Sequence, residues 1–175
     1  MLSIRESHEP DEVLKDFMKL TKSDFQIGTL EDELRVDVLC RELLMTFYHD
    51  RIAAGMNEHD ATLLANSADH FLRDYLIGVR QLNLLESDPG VVRQFAGNWY
   101  IVNTMEPVIE EIAAHLQGIR EFYRFLAGID AIDPGFFTAI EKDCADLGYY
   151  RSRIDSFWEI QGDGYYEWER ECTLK

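Results

Sequence analysis

Three histidines supply the first chemistry in this chain. His49, His70 and His115 fall in three separate amphipathic stretches, and imidazoles projecting from facing helices are one way a helical bundle holds a divalent metal. Glu111 stands four residues before His115, and Asp74 four after His70, the spacing that puts two side chains on one helical face. Each carboxylate is placed to ligate beside its histidine or to orient the ring from behind. His49, His70, His115 and Glu111 are thus the candidate ligands of a metal-dependent enzyme or sensor. The spacings E-x-x-H, H-E-x-x-H and H-x-x-x-H do not occur, so the competing reading is of boundary histidines in ordinary hydrogen bonds. His115 interrupts an apolar stripe, where a half-buried imidazole beside Glu111 suits a base or a switch. The plainer account is an i,i+4 helix pair contributing a few tenths of a kcal/mol, with Gly118 admitting a neighbouring helix closely.

The elements that must position these residues are helices. From Thr104 to Ile129, apolar residues recur at Met105, Ile109, Ile112, Leu116, Ile119, Tyr123 and Leu126, and a second stripe runs through Val108, Glu111, His115, Gly118, Phe122, Phe125 and Ile129, interrupted by Glu111, His115 and Gly118. Two adjacent stripes predict a central helix over about 104–128, packed on two sides. Thr29 to Asp32 caps a helix that runs to Ala54, with stripes Val36, Cys40, Leu43, Phe47 and Val38, Met45, Tyr48, Ile52, stopped by Gly55. Asn57 and Asp60 start the next, carrying Leu64, Ala68, Phe71, Tyr75, Gly78 and Leu82. Asp88-Pro89 starts a short apolar helix to Val102, and Asp133-Pro134 starts a last long one, 134–160, paired antiparallel with the central helix. An earlier helix carries Val13, Leu14, Phe17 and Met18 on one face. The expected fold is all-α, one domain over 1–175 of about six helices, with an aromatic-acidic tail, 161–175, docked back on the bundle or offered to a partner.

Composition narrows the partners. The chain has 33 acidic and 17 basic residues for a formal charge of −16, a field that repels nucleic acid and anionic lipid. Hydrophobic residues at 46% suffice for a core. Charges at Arg5, Glu6 and Glu9 do not suit a signal peptide, and the longest uncharged run, Gln94 to Met105, is too short to span a bilayer. A cytoplasmic location without membrane contact is expected. Cys40, Cys144 and Cys172 lie far apart and read as small core residues. G-x-x-x-x-G-K-[ST], G-x-G-x-x-G and G-x-S-x-G are missing.

From Thr104 to Pro134 the chain reads T-x10-H-L-Q-G-I-R-E-F-Y-R-F-L-A-G-I-D-A-I-D-P. Through Leu116, Ile119, Arg120, Phe122, Tyr123, Phe125, Leu126 and Pro134 this resembles the SAM-like N-terminal, core-binding domain of tyrosine recombinases, and uncharacterised prokaryotic helical proteins built on that bundle. The resemblance covers about a quarter of the chain and implies a helical hairpin that binds DNA through basic faces. This sequence departs from it, with ten acids against five bases between Thr104 and Trp158. His70-Phe71-Leu72-Arg73 imitates the recombinase H-x-x-R but precedes the hairpin, and no catalytic domain is expected. Arg120, Arg124, Arg151 and Arg153 are the cations from which a basic patch would be built, with Glu121 and Asp155 near enough to neutralise it.

Together these features favour a non-catalytic factor acting through a protein partner or its own copies, with no cofactor expected. A metal-binding bundle enzyme or sensor is the alternative, and a nucleic-acid-associated module the third reading.

Overall fold

The structure, a computed structural model, describes residues 19–172 apart from residue 89. Among them are seven helices and no strand. The helix expected over Val13 to Met18 lies outside the described residues.

After a 3-10 turn at Lys22–Phe25, α1 spans Leu30–Ala53. Its start is a capping box, in which Thr29 Oγ1 accepts from the Asp32 amide at 3.1 Å and the Asp32 carboxylate from the Thr29 amide at 3.0 Å. Gly55, at φ 93°, ends it as expected. Helix α2 begins at Glu58, with Asn57 Oδ1 accepting from the Asp60 amide at 2.9 Å, and is α-helical to Asp69. It does not continue to Leu82. From His70 to Ile77 it widens into a π-helix, with bonds such as Gly78 N to Arg73 O at 3.0 Å. The wider turn brings Phe71, Leu72, Tyr75, Leu76 and Ile77 all into the core.

Helix α3 repeats the device, with α-helical Val91–Gln94, π-helical Phe95–Trp99 and α-helical Tyr100–Asn103. Two π segments in one small bundle point to local constraint, since such turns concentrate at functional sites. The central helix α4 spans Ile109–Gly128 rather than starting at Thr104. Proline disfavours helical geometry at the residue before it, so Glu106-Pro107 holds back the start. Met105 is accordingly 95% exposed and is no part of the apolar stripe.

Asp133 Oδ1 accepts from the Gly135 amide at 2.8 Å, and Pro134 opens α5, Pro134–Ala145. The single long helix expected over 134–160 is broken at Asp146, where φ is −84° and ψ 60°, and resumes as α6, Leu147–Trp158. Asp146 caps the second piece through the Tyr149 amide at 3.2 Å and meets Arg93 at 2.9 Å. Tying one carboxylate to two places fixes the bend. Helix α7, Tyr165–Arg170, lies in the expected tail, and its Trp168 is buried.

One continuous core joins residues from every helix. Within it α4 packs most extensively on α2, then on α5 and α6. Gly118 makes the first of these contacts possible. A Cβ there would sit 2.6 Å from Ser67 Cβ, 2.7 Å from Leu64 O and 2.9 Å from Ala68 N.

Candidate functional site

The close α2–α4 crossing decides where the histidines go. With Gly118 against Ser67, His115 lies three residues back on α4, and its Nδ1 is 3.3 Å from the Ser67 carbonyl oxygen. His70 opens the π segment of α2, and the two rings come within 5.1 Å, centre to centre. Aromatic side chains from α3 close around them. Tyr100 is 4.9 Å from His115, Trp99 5.5 Å from His70, and Phe95 5.8 and 5.9 Å from the two rings.

Each histidine is oriented by an acceptor. Asp74 Oδ2 stands 2.7 Å from His70 Nδ1. An ionised carboxylate and a carbonyl can only accept, so both Nδ1 atoms carry protons and both Nε2 atoms keep a lone pair in the neutral rings. Burial lowers the His115 pKa below the usual histidine range, and His70 adds to this, while the Ser67 carbonyl and Glu111 pull the other way. Tyr100 donates its hydroxyl to Glu111 Oε2 at 2.7 Å. Burial first, and this bond second, push the tyrosine pKa up to about 12.

The structure therefore brings together two of the four candidate ligands, His70 and His115, while the Glu111 carboxylate is taken up by the Tyr100 hydroxyl. It does not bring His49 to them. That residue is exposed on α1 with its ring against Tyr48 at 5.2 Å. Among the described residues no three His, Cys, Asp or Glu side chains form a group able to hold a metal. Two imidazoles alone fall short of the three or four ligands of a protein zinc site. What the arrangement can do is accept protons at two Nε2 atoms inside an aromatic enclosure. No nucleophile accompanies it among the cysteines. Cys40, Cys144 and Cys172 are buried, and burial raises all three thiols above the ordinary range, Cys144 to about 12.

The hairpin arginines do not assemble a basic patch. Arg124 reaches Glu121 at 2.5 Å and Glu141 at 2.9 Å, and Arg120 lies 3.5 Å from Glu121. Arg153, expected at the surface, is buried at 4% exposure. Its guanidinium donates to the Gly97 and Trp168 carbonyls, each at 2.8 Å, and lies 3.8 Å over the Trp168 ring. This cation is the anchor that docks the tail.

A second feature lies on α1. Its inner face buries Val36, Cys40, Leu43, Leu44 and Phe47. The opposite face carries Leu30, Leu34, Val38, Arg41, Met45, Tyr48 and Ile52 at spacings of three and four, a seam along the whole helix. Leu30 is 70% exposed, Leu34 62%, Val38 47% and Met45 52%. Single exposed apolar residues need no explanation, but here four recur along one helical face, with exposed Arg41 between Val38 and Met45. The α1 arginines are matched locally, Arg35 with Asp32, Arg41 with Asp37 and Arg51 with Asp50. Glu31, Glu33 and Glu42 leave the helix with a negative balance, and Glu31, Glu42 and His49 follow one edge of the seam. Sequence periodicity marks Val38, Met45, Tyr48 and Ile52 as a stripe; Leu30 and Leu34 extend it by the same spacing, and the structure shows Leu30, Leu34, Val38 and Met45 exposed and Tyr48 and Ile52 half-buried.

No protein-family model, curated protein or solved structure matches the chain.

Proposed function

We propose that this protein is a non-catalytic interaction module whose α1 seam receives an amphipathic helix of a partner protein bearing Lys or Arg beside its apolar stripe. The observation that carries this reading is the exposed row Leu30, Leu34, Val38 and Met45 on a helix whose other face is in the core. Helix-on-helix recognition uses such i, i+3, i+4, i+7 anchors. Charge selects the partner. A chain of net −16 repels a second copy of itself, whereas a basic helix is drawn to Glu31 and Glu42 along the seam's edge.

The test is fluorescence anisotropy with a labelled peptide about four heptads long, Leu at a and d and Lys at e and g. Binding that weakens between about 50 and 500 mM salt is expected. The double variant Leu34→Gln, Met45→Gln should lose on the order of 100-fold in affinity, since two exposed anchors are removed without touching the core. Equal binding by the variant, or by a Glu counterpart of the peptide, overturns the reading. Self-association abolished by the double variant assigns the seam to a second copy instead. Binding seen only after removal of residues 1–18 assigns it to the chain's own N-terminal stretch.

A further inference from the structure

Where α7 docks beside the two π segments, a groove of about 310 Å³ opens, away from the α1 seam. This is the lower end of the range for ligand sites, the size for a one- or two-ring molecule. Tyr75, Trp99 and Tyr165 supply aromatic walls, and Asn98 a side-chain amide. Its charged lining is Arg80, Glu169 and Arg170. Glu169 is engaged by the Tyr165 hydroxyl at 3.3 Å.

Arg80 is exposed and, like exposed Arg151, has no carboxylate partner among the described residues. Arg35, Arg51, Arg73, Arg93, Arg124 and Arg153 all pair with carboxylates. Among the described residues, Arg80 has only neutral partners. Its Nη1 donates to the Tyr75 hydroxyl at 3.2 Å and to Gln94 Oε1, and its guanidinium lies 5.9 Å from the Tyr75 ring centre. Both bonds use the same nitrogen, and Gln94 is buried, so one end of the guanidinium is held while the Nε–Nη2 edge has no acceptor among the described residues. That edge presents two parallel N–H donors matched to the two oxygens of a carboxylate. Asn98, half-buried, likewise has no side-chain hydrogen bond among the described residues.

We infer that this groove binds a small planar organic acid, its carboxylate on the Arg80 Nε–Nη2 edge and its ring against Trp99 and Tyr165. The two contacts divide the work. The pre-held guanidinium supplies orientation and charge selection, and the aromatic walls supply apolar burial. Helix α7 forms one wall, so an occupied groove also holds the tail in place.

The probes are benzoate, indole-3-carboxylate and neutral benzyl alcohol, each titrated into the full chain and followed by nitrogen–proton correlation spectra. Both acids are expected to shift the Trp99 indole N–H and the Asn98 side-chain amide. Benzyl alcohol should bind at least about tenfold more weakly than benzoate, the loss of one charge-assisted pair. Arg80→Gln should abolish the difference between acid and alcohol. Asn98→Asp, which leaves Arg80 in place, should weaken both acids and spare the alcohol. Leu34→Gln, Met45→Gln should change none of these values, which separates this site from the seam. No shift at Trp99 with either acid up to about 10 mM overturns the inference, as does equal binding of acid and alcohol.

Discussion

Replacing Gly118 by alanine tests the contact on which the α2–α4 crossing depends. An added methyl would lie 2.6 Å from Ser67 Cβ, 2.7 Å from Leu64 O and 2.9 Å from Ala68 N. Two of these atoms are backbone and the third is a Cβ, so no flexible side-chain end can swing aside. The helices must separate. Overpacking of this kind costs about 1–3 kcal/mol, and three rigid contacts place the cost near the top of that range. Alanine recovers up to about 1 kcal/mol of helix propensity relative to glycine. The net expectation is a loss of about 2 kcal/mol, or a fall in Tm of about 4–8 °C for a chain of this size. Gly128→Ala is the matched control, because nothing lies within 4 Å of a Cβ there. Its expected effect has the opposite sign, a gain of up to about 1 kcal/mol. Urea denaturation and calorimetry of both variants check this. A Gly118→Ala protein as stable as the parent refutes the close-approach argument.

Three further outcomes follow from the site and the tail. The folded state holds His115 neutral more strongly than the unfolded chain does. Stability on this account is full above the ordinary histidine value of about 6.5, falls with pH through that value and on through the lowered folded one, then levels off. His115→Gln should flatten that part of the curve in urea titrations between about pH 8 and pH 5, with His70, Asp74, Tyr100 and Glu111 left in place around it. Trp168→Ala should cost about 3–5 kcal/mol by chemical denaturation, since it removes a buried ring and the surface over which Arg153 lies. Added Zn²⁺ should leave Tm within about 1 °C of the metal-free value, because His70 and His115 gain no third ligand among the described residues. A clear upward shift would restore the metal reading.

Periodicity in the sequence identifies helical faces but not which faces find cover. The stripe through Ile112, Leu116, Ile119, Tyr123 and Leu126 is buried as expected. On α1 the second stripe is equally regular, yet its Val38 and Met45 face outward, because α2 and α4 already occupy the other side. Local start and stop chemistry was readable at Thr29, Gly55, Asn57 and Asp133, where one residue and its own turn settle the geometry. It was not readable at Asp146, whose bend depends on Arg93, 53 positions away. The π segments at His70–Ile77 and Phe95–Trp99 were hidden for the same reason, since apolar residues on two faces fit an α-helix equally well before packing chooses. Of the candidate ligands, the Glu111–His115 spacing gave a shared face, but the meeting with His70 needed Gly118 to draw the helices together. Arg153 looked like a surface cation because nothing local announces the Gly97 and Trp168 carbonyls that receive it.

The interaction reading rests on one face of one helix, and mapping tests it most directly. Amide hydrogen exchange of the full chain, with and without the basic heptad peptide, should slow along residues 30–52 of α1 and leave the Arg80 groove and the His70–His115 contact unchanged. Protection confined to another surface, with α1 unaffected, would contradict the account.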